Sequence, residues 1–109
     1  MSESCCGGPS ESSGRGSGEQ PVVAESQQKF FDFLQSANAP GALDARTKRI
    51  VAIALSVLAR CEPCVKSHVK KARQEGLSQD EIDEAAWMAI SFGGSPTMMF
   101  YNETKKSGH

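Results

Sequence analysis

Neither sign of charge dominates this 109-residue chain: 12 Lys and Arg face 13 Asp and Glu, for a formal net charge of -1. A chain so nearly neutral has no long-range field with which to gather a polyanion, so general nucleic-acid binding is not expected. Long hydrophobic runs are missing too. The longest, Ile50 to Ala59, is ten residues broken by Ser56, about half of the roughly 20 that a bilayer core requires, and membrane spanning is not expected. Cysteine is scarce at four residues, too few for the disulfide scaffold of a small secreted domain. The first twenty residues have neither the apolar nor the basic region of a signal peptide, which sets the expectation of a reducing cytoplasm, where cysteines serve chemistry more often than bridges. Sustained period-two alternation and internal repeats are also absent, and no cofactor signature is visible.

What is present begins with a composition shift. Residues 1–20 hold six Ser and five Gly, with Met1, Cys5 and Cys6 as the only apolar side chains. Such a stretch buries too little surface to offset its backbone entropy and is expected to be a disordered tail, leaving residues 21–109 as one small domain.

From Val22 the apolar pattern is helical. Phe30, Phe33, Leu34 and Ala37 share a stripe of a first helix, about Pro21 to Ala37, which Asn38-Ala39-Pro40-Gly41 ends. Asp44 is a candidate N-cap for a second helix over Arg46 to Arg60, apolar on nearly all sides after Arg49 and therefore expected to be covered by other subunits. A third helix starts around Cys61 to Cys64, with Pro63 in its first turn, and stops at Gly76. Ser78 and Glu81 match a capping box for a fourth helix, whose stripe is Ile82, Ala85, Ala86, Ala89 and Ile90, and Gly93-Gly94 ends it. Ser95-Pro96 opens a short final helix through Met98, Met99, Phe100 and Tyr101, with the methionines read as core or subunit contacts and Trp87 as a core residue. The expected fold is all-α, about five helices with a C-x-x-C at a helix N-terminus.

The chemistry is concentrated in Cys61-Glu62-Pro63-Cys64-Val65-Lys66-Ser67-His68. If Cys64 lies in the first turn, His68 is four residues on, on the same face, where a base beside a thiol favours thiolate. The helix N-terminus adds partial positive charge and unpaired N–H groups, which lower a thiol pKa. Cys61 is near enough to close a disulfide with Cys64. The string thus supplies an attacking thiol, a resolving thiol and a proton acceptor. A zinc site would need a fourth ligand from Cys5, Cys6 or His109. Cys5-Cys6 offers an alternative function, a soft-metal or metalloid binder or redox sensor acting together with Cys61 and Cys64. Lys66, Lys70, Lys71 and Arg73 form a basic cluster, either solvated or steering an acidic partner.

The stretch Leu43 to Ala54, followed by Cys61-x-x-Cys64-x-x-x-His68, Ala72, Gly76, Ser78 and Glu81-Ile82, resembles the carboxymuconolactone decarboxylase family, in particular its alkylhydroperoxidase D-like branch. The resemblance covers about residues 22–102. It implies a helical subunit of a trimer or hexamer. It also implies a thiol oxidoreductase acting on peroxides or disulfides, in which Cys64 attacks and becomes a sulfenic acid, Cys61 condenses with it and His68 manages protons. A dithiol or lipoyl-type electron donor would restore the pair. Decarboxylase members lack this cysteine pair. Peroxidase members usually carry a glutamate at the position of Arg49, where this sequence has a base that cannot accept a proton; Glu62 and Glu84 are the candidate substitutes.

Overall fold

The computed structural model describes residues 20–108. The expected tail, with Cys5 and Cys6, and the terminal His109 lie outside the described residues. Five helices follow one another: α1 (Pro21–Asn38), α2 (Ala45–Leu58), α3 (Glu62–Gln74), α4 (Gln79–Gly93) and α5 (Ser95–Lys106). Among the described residues there is no strand, as expected, and no helix is long and apolar enough to cross a membrane. The chain divides into two units, one ending at Ala39 and the other beginning at Pro40.

In the first unit, Pro21 occupies the opening turn of α1, where its missing N–H costs no helical bond. Phe30 lies 6.5 Å from Phe31 and 6.3 Å from Phe33 between ring centroids. The stripe of Phe30, Phe33 and Leu34 forms on α1 and is exposed, and α1 has no buried residue.

In the second unit α2 is central, packing on α4, α3 and α5. Asp44 caps it by accepting from the Thr47 backbone N–H at 2.8 Å, a bond that also holds the Asp44 carboxyl below its ordinary pKa. Ile53 and Val57 of α2 meet Val65, Val69 and Ala72 of α3, the full expected stripe of α4, and Tyr101 of α5. The capping box at the start of α4 forms as expected, Ser78 and Glu81 each bonding the other's backbone N–H.

Two expectations are corrected in this unit. The last helix is not short; it runs twelve residues to Lys106, because Thr97, Tyr101 and Thr104, at i, i+4 and i+7, bury one side of it. Tyr101 donates to Asp83 at 2.6 Å, and burial with that hydrogen bond pushes its hydroxyl pKa upward. Trp87 is half exposed, since it follows Ala86 by one residue and so points about 100° away from the buried stripe.

Gly94 joins α4 to α5 with φ 76° and ψ -159°. That combination is closed to residues with a Cβ. Gly94→Ala is expected to cost about 1–3 kcal/mol, read as a lower Tm; an unchanged Tm would show that the junction tolerates another backbone path.

Candidate active site

The end of α2 sets up the site. Arg60 N–H donates to Val57 O at 3.0 Å and Cys61 N–H to Ser56 O at 3.1 Å, the paired bonds of a Schellman turn. Arg60 takes the left-handed position with φ 55°, where glycine is usual. The turn releases Cys61 in an extended conformation as the N-cap of α3, with its carbonyl accepting from Val65 N–H at 3.0 Å. Pro63 sits in the first turn and Cys64 follows as the third helical residue. Cys61 and Cys64 are joined by a disulfide, with Cα atoms 5.3 Å apart. Cys64 is exposed and Cys61 half-buried.

The thiols therefore lie where the sequence places them, at the positive end of a helix dipole. Helix geometry leaves the first backbone N–H groups, including that of Cys64, without intrahelical acceptors. Both features favour a thiolate at Cys64 once the bridge is reduced.

Cys64, His68 and Lys71 follow at intervals of four and three along one face of α3, and Glu75, its C-cap residue, comes four further on. Opposite them, α2 contributes Arg49. Its Nη1 donates to Nδ1 of His68 at 2.7 Å. Its Nε and Nη2 donate to the two carboxylate oxygens of Glu75 at 3.0 and 3.1 Å. The guanidinium is thus held bidentately, the geometry that suits it best, and only 15% of the Arg49 side chain is exposed. Burial lowers the His68 pKa below its ordinary value; the Arg49 and Lys71 cations push the same way, against Glu75. The hydrogen bonds from Arg49 lower the Glu75 pKa in turn. Near neutral pH His68 is a neutral imidazole beside an ion pair.

Neither carboxylate nominated from the sequence fills the place of the family's glutamate. Glu62 pairs with Lys66 at 3.1 Å and accepts from Ser107 at 3.5 Å, and Glu84 is an exposed residue of α4. The charges acting on His68 are those of Arg49, Lys71 and Glu75. Glu75 escaped the sequence reading because it reaches the histidine through a residue of another helix; its spacing of eleven from Cys64 was the available signal.

The basic cluster on α3 also splits. Lys66, Lys70 and Arg73, with Val69, Gln74, Ser107 and Gly108, line a cavity of about 460 Å³, whereas Lys71 lies on the side of His68. Among the described residues no group of three or more His, Cys, Asp or Glu side chains could hold a metal ion.

Comparison with known proteins places this arrangement. Residues 24–101 match the model of the carboxymuconolactone decarboxylase family. An uncharacterised protein of the cox locus of Paracoccus denitrificans is 47% identical over 60 residues, which are 55% of this chain and 54% of that protein. An uncharacterised protein of Cupriavidus necator is 30% identical over 71 residues, 65% and 63% of the respective chains. The aligned region thus spans less than two thirds of either relative. A crystal structure from Thermotoga maritima, of a family protein for which an antioxidative role has been suggested, superposes with a TM-score of 0.69 at 30% identity, covering 75% of this chain and 84% of that one. A ligand-free family protein from Legionella pneumophila gives 0.68 at 31%, covering 76% and 74%. With a family match over most of its length and the same fold in solved relatives, this chain belongs to the carboxymuconolactone decarboxylase family.

Proposed function

We propose that the protein is a thiol-dependent oxidoreductase of the alkylhydroperoxidase D-like kind, reducing organic hydroperoxides, or disulfides, through Cys61 and Cys64. The observation that carries this is the Cys61–Cys64 disulfide at the start of α3, with its exposed member, Cys64, on the same face as His68. The suggested antioxidative role of the Thermotoga relative is consistent with it.

In the peroxide reaction the Cys64 thiolate attacks one oxygen of R–O–O–H and the O–O bond breaks. Cys64 becomes a sulfenic acid, and the departing alkoxide takes a proton to leave as R–OH. Cys61 then attacks the Cys64 sulfur, the S–O bond breaks, and water leaves as the disulfide closes. An external dithiol, a lipoyl-type donor included, returns two electrons and two protons through a mixed disulfide on Cys64, the more accessible sulfur. The spacing of His68 from Cys64 supports a part for it in handling protons in this cycle, and its contact with Arg49 narrows that part. A reducing compartment such as the cytoplasm suits a pair that must be re-reduced after each turnover.

Exposed apolar stripes support a homo-oligomer, trimer or hexamer, as the working unit. Val51, Leu55 and Leu58 line one side of α2, and Met88 and Phe92 one side of α4, all exposed in the single chain.

The test is turnover itself. Wild-type protein with a dithiol reductant is expected to consume an organic hydroperoxide, or a small-molecule disulfide, catalytically; consumption of neither faster than with the dithiol alone would refute the proposal.

A further inference from the structure

We infer that Arg49, gripped by Glu75, is a positioning residue that locks His68 as a hydrogen-bond donor through Nε2 toward the Cys64 sulfur, rather than as a proton acceptor. The assignment deepens the thiol reading above and rests on it. Three observations lead to it. First, a guanidinium is always protonated and has no acceptor atom, so in the 2.7 Å contact Arg49 donates and Nδ1 of His68 accepts. A neutral imidazole whose Nδ1 lone pair is engaged carries its one proton on Nε2.

Second, the donor is fixed. Glu75 holds the remaining face of the guanidinium with two hydrogen bonds, so Arg49 approaches the ring along one direction. Taking a second proton on Nδ1 would require His68 to displace Arg49 and place two cations side by side, with Lys71 adding to the cost. The groups facing His68 are Arg49 from α2, Lys71 from α3 and Glu75 at the C-cap of α3, and two of the three are cations.

Third, the carboxylate of the cluster stands behind the arginine. Here the carboxylate is Glu75, one residue beyond Gln74, the last of α3, and Arg49 intervenes between it and the imidazole. A carboxylate in direct contact would stabilise imidazolium and let the histidine act as a base. The interposed arginine inverts that polarity.

The consequence for the reaction is definite. When the external dithiol resolves the mixed disulfide on Cys64, the S–S bond breaks and the electron pair stays on Cys64 as thiolate. His68, four residues along the helix, then offers Nε2–H to that anion while remaining neutral, and the helix N-terminus adds to the same effect. Of the donor's two protons, one goes to the Cys61 thiolate released as the mixed disulfide forms and the other to solvent.

The tautomer can be read directly by long-range proton–nitrogen correlation on nitrogen-15-labelled full-length protein, with His68→Gln to separate its signals from those of His109. At pH 7 the wild type is expected to show a protonated Nε2 and an unprotonated Nδ1 at His68, titrating below the ordinary histidine midpoint. Arg49→Met is expected to raise that midpoint and mix the two tautomers; Glu75→Gln, which frees Arg49 from its grip but also removes an anion that favours imidazolium, is expected to mix the tautomers by less without raising the midpoint. A protonated Nδ1 or an imidazolium at pH 7 in the wild type would overturn the inference, as would an unchanged tautomer in a folded Arg49→Met. The wild-type spectrum decides the matter even if a variant fails to fold. Because it reads the ring and not turnover, its failure is distinct from failure of the peroxidase assay.

Discussion

Cys64→Ser is expected to abolish hydroperoxide turnover, by at least about a thousandfold, as removal of a covalent nucleophile generally does. The hydroxyl of serine ionises far less readily than a thiol, and neither the dipole of α3 nor a neutral imidazole bridges that gap. The fold should survive. Cys64 is exposed, and a bridge between residues three apart constrains the unfolded chain little, so Tm should stay near that of the reduced wild type. Cys61→Ser separates the two thiols: it should still react once with peroxide, leaving Cys64 as a trappable sulfenic acid, but should not close a bridge to Cys61. Cys64→Ser with full turnover would remove the nucleophile from the account.

The second large effect concerns assembly. Phe92 is 82% exposed and Leu55 59%, extreme values for side chains whose burial is worth about 1.5–3 kcal/mol each. Patches of this kind mark surfaces that another molecule covers, and a second copy of the chain is the occupant proposed here. The double variant Leu55→Glu, Phe92→Glu is expected to convert a trimer or hexamer to monomer in light scattering at micromolar concentration. Each lost anchor weakens association by about 2 kcal/mol or more, roughly thirtyfold. Monomeric wild-type protein under the same conditions would contradict the proposal that these stripes are covered by other copies.

The parts of the fold legible in the sequence were those with a local cause. Asp44 and the Ser78–Glu81 box are caps made within one turn, and the α4 stripe follows from a 3.6-residue period in Ile82, Ala85, Ala86, Ala89 and Ile90. The length of α5 was not legible, because hydropathy does not register Thr97 and Thr104 as core residues, and both are buried. Trp87 misled in the opposite direction: its size suggested core, but the register of its helix turns it outward.

The site divides in the same way. Cys61, Cys64 and His68 are tied together by spacing on a single helix, so one dimension sufficed to find them. Arg49 and Glu75 lie 26 positions apart and meet only because α2 packs against α3. From sequence alone, Arg49 could be seen as a glutamate replaced by its opposite. That it contacts the histidine, and that a carboxylate has moved behind it, required the packed pair of helices. Arg49→Glu by itself would therefore not restore the family arrangement, since the new carboxylate would face Glu75.

The central claim, that Cys61 and Cys64 are the working redox pair, is tested most directly by mapping thiols after a single reaction. Fully reduced protein is mixed with one equivalent of organic hydroperoxide or, separately, of a small-molecule disulfide, then alkylated, digested and weighed by mass spectrometry. A Cys61–Cys64 bridge is expected to form stoichiometrically with at least one oxidant, while Cys5 and Cys6 remain open to alkylation. Cys61 and Cys64 recovered as alkylated thiols after both oxidants, or a bridge that forms elsewhere instead, would contradict it.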